Sequence, residues 1–254
     1  MKRFVIILIL ALGASVAVQG QHFVGIKGGW GVGDARFYPN YETPLTYGML
    51  NGGVTWRYYT ENPRSLVDRY AGGIAAELEF IQRGFRREMF GDKNVEYKRT
   101  VNSVILPFMW QPHFYMAQKR FLAFFNAGLT LQYNISSKEY LKDLTTGIET
   151  ESDYEMLAVR DNRWGYGLCG GVGFGYNAGR VTISAEGRYY FGYSDILKRK
   201  TVYEDNFFMR SPLDNIMISF GMSYRLGKDL GDEGRQTRRA ARRELQSAVE
   251  EVTQ

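Results

Sequence analysis

Residues 163–179 read RWGYGLCGGVGFGYNAG, from Arg163 to Gly179. Gly165, Gly167 and Gly170 satisfy the spacing GxGxxG. In a dinucleotide-binding domain that motif follows an apolar strand and opens a helix. Neither condition is met. The preceding Arg160-Asp-Asn-Arg163 is polar, and beyond Gly170 the glycines simply continue, alternating with Val172, Phe174 and Tyr176. Strict alternation is the signature of a strand with two unlike faces. One face carries Tyr166, Leu168, Val172, Phe174 and Tyr176. The other is almost bare backbone: Gly165, Gly167, Cys169, Gly171, Gly173 and Gly175. A small closed barrel needs such a face, because its interior is only just wide enough for side chains to fill. Glycines on one strand leave room for bulky groups from the others, and Cys169 reads as an inert filler among them.

Seven more segments alternate in the same way. Phe23 to Gly31 puts Val24, Ile26 and Trp30 opposite Gly25, Lys27 and Gly29. Tyr47 to Tyr58 puts Leu50, Val54, Trp56 and Tyr58 opposite Asn51, Gly53, Thr55 and Arg57. From Gly72 to about Arg86, Ile74, Ala76, Leu78 and Phe80 oppose Ala75, Glu77, Glu79 and Arg83. A hairpin turn at Gly91-Asp-Lys-Asn94 leads into a strand ending at Trp110, in which Pro107 predicts an edge or a bulge. Arg120 to Tyr133 alternates throughout, with Leu122 and Phe124 as apolar residues on the otherwise polar face. The tight turn Asn177-Ala-Gly-Arg180 joins the glycine strand to a seventh, where Thr182, Ser184, Glu186, Arg188 and Tyr190 share the inner face. The eighth runs to Leu226, with Ser219, Gly221, Ser223 and Arg225 inward.

An even number of strands, starting at eight, is what a bacterial outer-membrane barrel requires. The fold class expected is therefore all-β: an eight-stranded antiparallel transmembrane β-barrel with a charged, helical C-terminal tail. Long connections at Asp34–Thr46, Ile135–Asn162 and Ser194–Asp214 alternate with shorter ones near Thr60–Asp68, Gln111–Lys119 and Asn177–Arg180. This is the asymmetry between external loops and periplasmic turns. The middle long connection would extend its two strands beyond the membrane. Trp30, Trp56, Tyr58, Trp110, Trp164 and Tyr176 stand outward as candidates for aromatic girdles.

Composition agrees. Aromatic residues make up 15% of the 254 residues, against only 6 Pro, which excludes a disordered chain. The net charge of +5 is scattered, with no basic stripe for nucleic acid. A single cysteine excludes an internal disulfide. Lys2 and Arg3, the apolar run Phe4–Val18 and the small residues before Gln21 read as a secretory signal peptide over residues 1–20. The barrel would occupy 21–226 and a periplasmic tail 227–254. In that tail six cations balance six acids, and Arg238, Arg239, Arg242 and Arg243 recur at helical spacing beside a weak apolar stripe. They are the candidate contact to a periplasmic partner.

The chemistry lies inside. Lys27, Arg57, Arg83, Arg188 and Arg225 share the inward face with Glu77, Glu79 and Glu186. Buried charge persists only when paired, so these residues form a candidate lumen charge network that plugs the barrel. No catalytic, cofactor or metal site is expected. The chain has two histidines, His22 near the mature N-terminus and His113 in an expected periplasmic turn, and neither sits in a ligand or triad spacing.

Several stretches together resemble the PorT-like outer-membrane β-barrel family of Bacteroidota. They are Phe23-Val-Gly-Ile-Lys-Gly-Gly29, Ala76-Glu-Leu-Glu-Phe-Ile-Gln-Arg-Gly84, Val104-Ile-Leu-Pro-Phe108, and the hairpin from Gly167 through Arg180 to Gly187-Arg-Tyr-Tyr-Phe-Gly192. The resemblance spans about Phe23 to Leu226 and implies an accessory role in type IX protein secretion, with outer-membrane lipid and secretion-system proteins as partners. It carries over no catalytic residue, and the charged tail departs from it. Three further readings stay open: a small passive channel, a surface binding or adhesion barrel acting through loops such as Arg36-Phe-Tyr-Pro-Asn-Tyr41, and a barrel enzyme using Glu77, Glu79 or Glu186.

Overall fold

The computed structural model describes residues 21–39, 43–61, 70–89, 92–117, 120–199 and 208–226. The segments 1–20 and 227–254, and with them the signal-peptide and tail expectations, lie outside the described residues. Among the described residues there are ten strands: β1 (Gln21–Ala35), β2 (Thr46–Glu61), β3 (Tyr70–Met89), β4 (Asp92–Trp110), β5 (His113–Met116), β6 (Phe121–Asp143), β7 (Glu149–Tyr154), β8 (Trp164–Ala178), β9 (Val181–Gly192) and β10 (Leu213–Leu226).

All pair antiparallel. The order β2-β1-β10-β9-β8-β6-β4-β3 closes on itself through β2 and β3. Eight strand positions therefore form the barrel, because β4 and β5 share one. Short β5 pairs with β3 and β6, the same two neighbours as β4. This corrects the expected turn at Gln111–Lys119. Pro112 cannot donate to a ladder, so the strand breaks at Gln111-Pro112, yet it resumes at His113. Past β5, Arg120 N–H donates to the Ala117 carbonyl at 3.2 Å.

Pro107 does not produce the expected bulge. The β4–β6 register runs through it, opposite Thr130, while the β3–β4 ladder skips Leu106 and Pro107. The missing N–H thus faces β3 and costs pairing there only. The irregularity falls instead between Asn102 and Ser103, whose partners on β6 are Ser136 and Asn134. Ile135 is the extra residue of this bulge. It switches the outward parity of β6 from odd positions (Leu129, Leu131) to even ones (Ser136, Lys138).

Outward residues form an apolar band that includes Val24, Ile26, Val54, Leu78, Phe108, Leu129, Val172, Phe174, Ile218 and Phe220, all exposed. Among the described residues no helix is long and apolar enough to cross a membrane; the crossing is made by strands. At the end with the long connections, Val104, Tyr133 and Trp164 lie in one cross-strand row, and the rings of Tyr133 and Trp164 are 4.8 Å apart. This row begins an interface girdle. Beyond it β3, β4 and β6 continue and β7 joins them, making a four-stranded flap outside the bilayer.

Candidate functional site

The glycine face of β8 meets the charged face of β9. Gly171 lies opposite Arg188, Gly173 opposite Glu186 and Gly175 opposite Ser184. A Cβ on Gly173 would sit 2.3 Å from Phe124 Cζ, and one on Gly171 would sit 3.2 Å from Arg188 Cβ. The alternation read in RWGYGLCGGVGFGYNAG thus makes room for side chains rooted on β6 and β9. Lys27 receives the same treatment, since its neighbours across both ladders, Gly53 and Gly221, are glycines.

Five charges converge in the cleared space. The Lys27 ammonium lies 2.8 Å from Glu77, 3.2 Å from Glu79 and 3.0 Å from Glu186. Arg188 grips Glu77 at 2.6 and 3.2 Å and Glu186 at 2.9 Å. Glu77 and Glu79 come from β3 and Glu186 and Arg188 from β9, on different walls of the barrel, so the network ties the walls together. Polar neighbours complete it. Tyr190 donates its hydroxyl to Glu79 at 2.8 Å, Asn51 donates to Glu79 at 2.6 Å and to Ser219 at 2.8 Å, and Asn126 donates to Glu186 at 3.2 Å. All five charged residues are buried, Glu79 and Arg188 to 1% exposure. Interlocked ions of this kind are costly to break, about 3–5 kcal/mol when one partner is removed.

The other three candidates sit in neighbouring layers. Arg57 is buried toward the periplasmic end, its guanidinium 5.6 Å from the Phe124 ring. Arg83 is buried toward the outside, donating to Asn215 at 2.7 Å and also to Gln132 and the Leu213 carbonyl. Arg225 is only half-buried, at the periplasmic rim, where its N–H donates to the Arg180 carbonyl at 2.8 Å. It does not join the five.

Apolar layers close the lumen on both sides. Below, Phe23, Tyr59, Tyr115, Leu122 and Phe124 pack as one cluster, and His113 stacks within it, 3.8 Å from the Tyr59 ring and 5.5 Å from that of Phe124. His113 is thus a buried packing residue rather than a member of an exposed turn. Tyr59 donates to Gln111 at 2.6 Å and Gln111 to Asn126 at 2.6 Å, which links this plug to the ionic layer. On the outer side of the ions sit Met49, Ile81, Ile105, Cys169 and Met217, all buried. The outer mouth is capped by Phe37, Ile196 and Phe208 from connecting segments, packed on Phe85, Val101 and Leu213.

Sequence reasoning missed the outer pins. Asp161, 3% exposed, accepts from Arg99 at 3.1 Å, from the Tyr154 hydroxyl at 3.1 Å and from the Leu157 N–H at 3.0 Å. Burial pushes the Tyr154 phenol up to about 12. Asp214 accepts from Arg36 at 2.7 Å, from the Tyr189 hydroxyl at 2.8 Å and from the Gly192 N–H at 2.9 Å. Arg99 shares inward parity with Val101 and Ser103, so alternation on β4 could have flagged it; Asp161 lies in a connection and offered no such signal. Among the described residues no group of three or more His, Cys, Asp or Glu is arranged to hold a metal.

A family model described as an outer membrane protein beta-barrel domain matches residues 19–198. The chain belongs to this family. It is an outer-membrane β-barrel protein, and lipid surrounds its apolar band. Among solved structures it is similar to Ail, the attachment invasion locus protein of Yersinia pestis, with 15% identity over 80% of this chain and 99% of that one, at a TM-score of 0.34. It is also similar to a major outer membrane protein from Thermus thermophilus, with 12% identity over 81% and 99% of the two chains, at a TM-score of 0.45. Neisserial surface protein A is 12% identical over 80% and 96%, at a TM-score of 0.32. No curated protein matches the sequence.

Proposed function

We propose that this family member is a plugged barrel that serves protein secretion as an accessory component, in the manner of the PorT-like proteins of type IX systems. The observation that carries the plug is the Lys27–Glu77–Glu79–Glu186–Arg188 network, closed below by the Tyr59–His113–Phe124 cluster and above by Phe37 and Phe208. A lumen so filled favours a role outside it, where the flap and the capped loops meet partners. The resemblance of the strands at Phe23–Gly29, Ala76–Gly84 and Gly167–Gly192 supports the secretion assignment. The arrangement favours a non-enzymatic role too, because each lumenal carboxylate is already held by a cation or an amide.

The test is a gene deletion followed by proteomics of the periplasm, outer membrane and culture medium. Secretion cargo should accumulate in the periplasm, and complementation should reverse it. Normal export of cargo in the deletion strain overturns the secretion reading and leaves a structural or surface-binding barrel.

A further inference from the structure

The outward face of the flap holds a cleft of about 230 Å³, lined by Thr46, Tyr47, Arg86, Glu96, Lys98, Tyr140, Lys142 and Glu149. Five strands contribute to its wall: β2 supplies Thr46 and Tyr47 beside the flap, and within the flap Arg86 lies opposite Lys98, Lys98 opposite Tyr140, and Lys142 opposite Glu149. Tyr47 is 67% exposed at one side, and the Lys98 ammonium lies 4.8 Å from the centre of the Tyr140 ring. Arg86 and Glu96 are only loosely paired, at 3.7 Å. The cleft thus combines aromatic faces, hydrogen-bond donors and acceptors, and three cations against two carboxylates. Tyrosine rings cover the C–H faces of a sugar, mixed donors and acceptors match its hydroxyls, and the surplus cation selects an anionic substituent.

Its height above the membrane narrows the source. Lys98 is six residues beyond Val104 on β4, and Val104 lies in the girdle row with Tyr133 and Trp164. Six residues span about 20 Å along a strand, or about 15 Å along the membrane normal at a usual barrel tilt. A phospholipid headgroup layer is only about 5–8 Å thick. The sugars of a glycolipid extend further. The cleft also opens on the outward side of the wall, the side that carries Phe80 and Val104 below it. We infer that this cleft binds an anionic saccharide, namely the phosphorylated or carboxylated sugar headgroup of the outer-leaflet glycolipid that surrounds the barrel. The inference is independent of any role in secretion.

The test uses the full chain in phosphatidylcholine nanodiscs, titrated with soluble core oligosaccharide released from lipopolysaccharide. The wild type should bind it, and Lys98→Glu with Lys142→Glu should weaken binding at least tenfold. Tyr140→Ala, which leaves every cleft charge in place, should also weaken it. Heat-dependent gel mobility reports whether each variant is folded. In nanodiscs that contain lipopolysaccharide, the glycolipid should occupy the cleft and abolish binding of the soluble sugar. No binding by the wild type, or equal binding by folded variants, overturns the site. Undiminished binding of the soluble sugar in lipopolysaccharide nanodiscs overturns the glycolipid as its occupant and leaves a cleft for sugars from solution.

Discussion

The same residue types do opposite work in the lumen and on the flap. Lys27 and Arg188 touch Glu77 and Glu186 in a space sealed from water. Lys138 touches Glu151 at 2.5 Å on the open face of the flap, where both side chains are about half exposed. Both contacts are short. Inside, each charge has lost its hydration and depends on its partners, so the set behaves as one unit. Outside, water screens the pair and can replace either partner. Distance alone does not separate a structural ion pair from an incidental one; burial does.

The largest effect should follow from breaking the lumenal unit. Glu77→Ala removes the carboxylate shared by Lys27 and Arg188 and should destabilise the folded barrel by about 3–5 kcal/mol, read as a lower urea midpoint. A double-mutant cycle of Glu77→Gln with Lys27→Met should show coupling of about 0.5–3 kcal/mol. Strict additivity would mean that the network is not a unit. Next in size is Gly173→Val. Its Cβ would lie 2.3 Å from Phe124 Cζ, and overpacking of this kind costs about 1–3 kcal/mol. Adding Phe124→Ala should lessen the loss, and no relief would place the conflict in the backbone, where the Ala185 carbonyl is the next contact.

The flap should respond more gently. Lys138→Ala should leave the urea midpoint unchanged within error, and a clear drop would remove the contrast between the two regions. The turn from β6 to β7 should depend on pH. Asp143 accepts from the N–H groups of Thr145 at 2.7 Å and Thr146 at 3.2 Å, and these bonds hold its carboxyl below the usual carboxylate range. A lowered folded value means that the contribution is present above the unfolded value of about 3.9 and fades as pH falls through the folded one. Amide exchange at Thr145 and Thr146 should therefore quicken below about pH 4 relative to amides of the barrel wall.

Much of the barrel was readable because alternation has a period of two and a barrel wall has two unlike sides. That logic put Lys27, Glu77, Glu79, Glu186 and Arg188 on one face before any strand was paired. It could not say that Lys27 would reach Glu77 while Arg83 would reach Asn215, since that depends on how far each strand is staggered when the sheet closes. Pro112 hid the continuation of β4 into β5, and so the burial of His113, because a proline between two strands looks like the end of one. The extension of β6 past Ile135 was expected, but the bulge there hid which of its residues face outward, since one extra residue reverses the faces. β7, Glu149-Thr-Glu-Ser-Asp-Tyr154, has no apolar face at all and becomes a strand only through β6. Phe37, Ile196 and Phe208 gave no periodic signal, because they belong to connections whose packing is set by contacts distant in sequence.

The most direct measurement is the electrical conductance of the refolded chain in a planar lipid bilayer. A lumen filled from the Tyr59–His113 cluster through the ionic layer to Phe37 and Phe208 predicts a silent membrane, with no stable current steps above background. Regular, ohmic openings from the folded wild type would contradict the plug and make the barrel a channel.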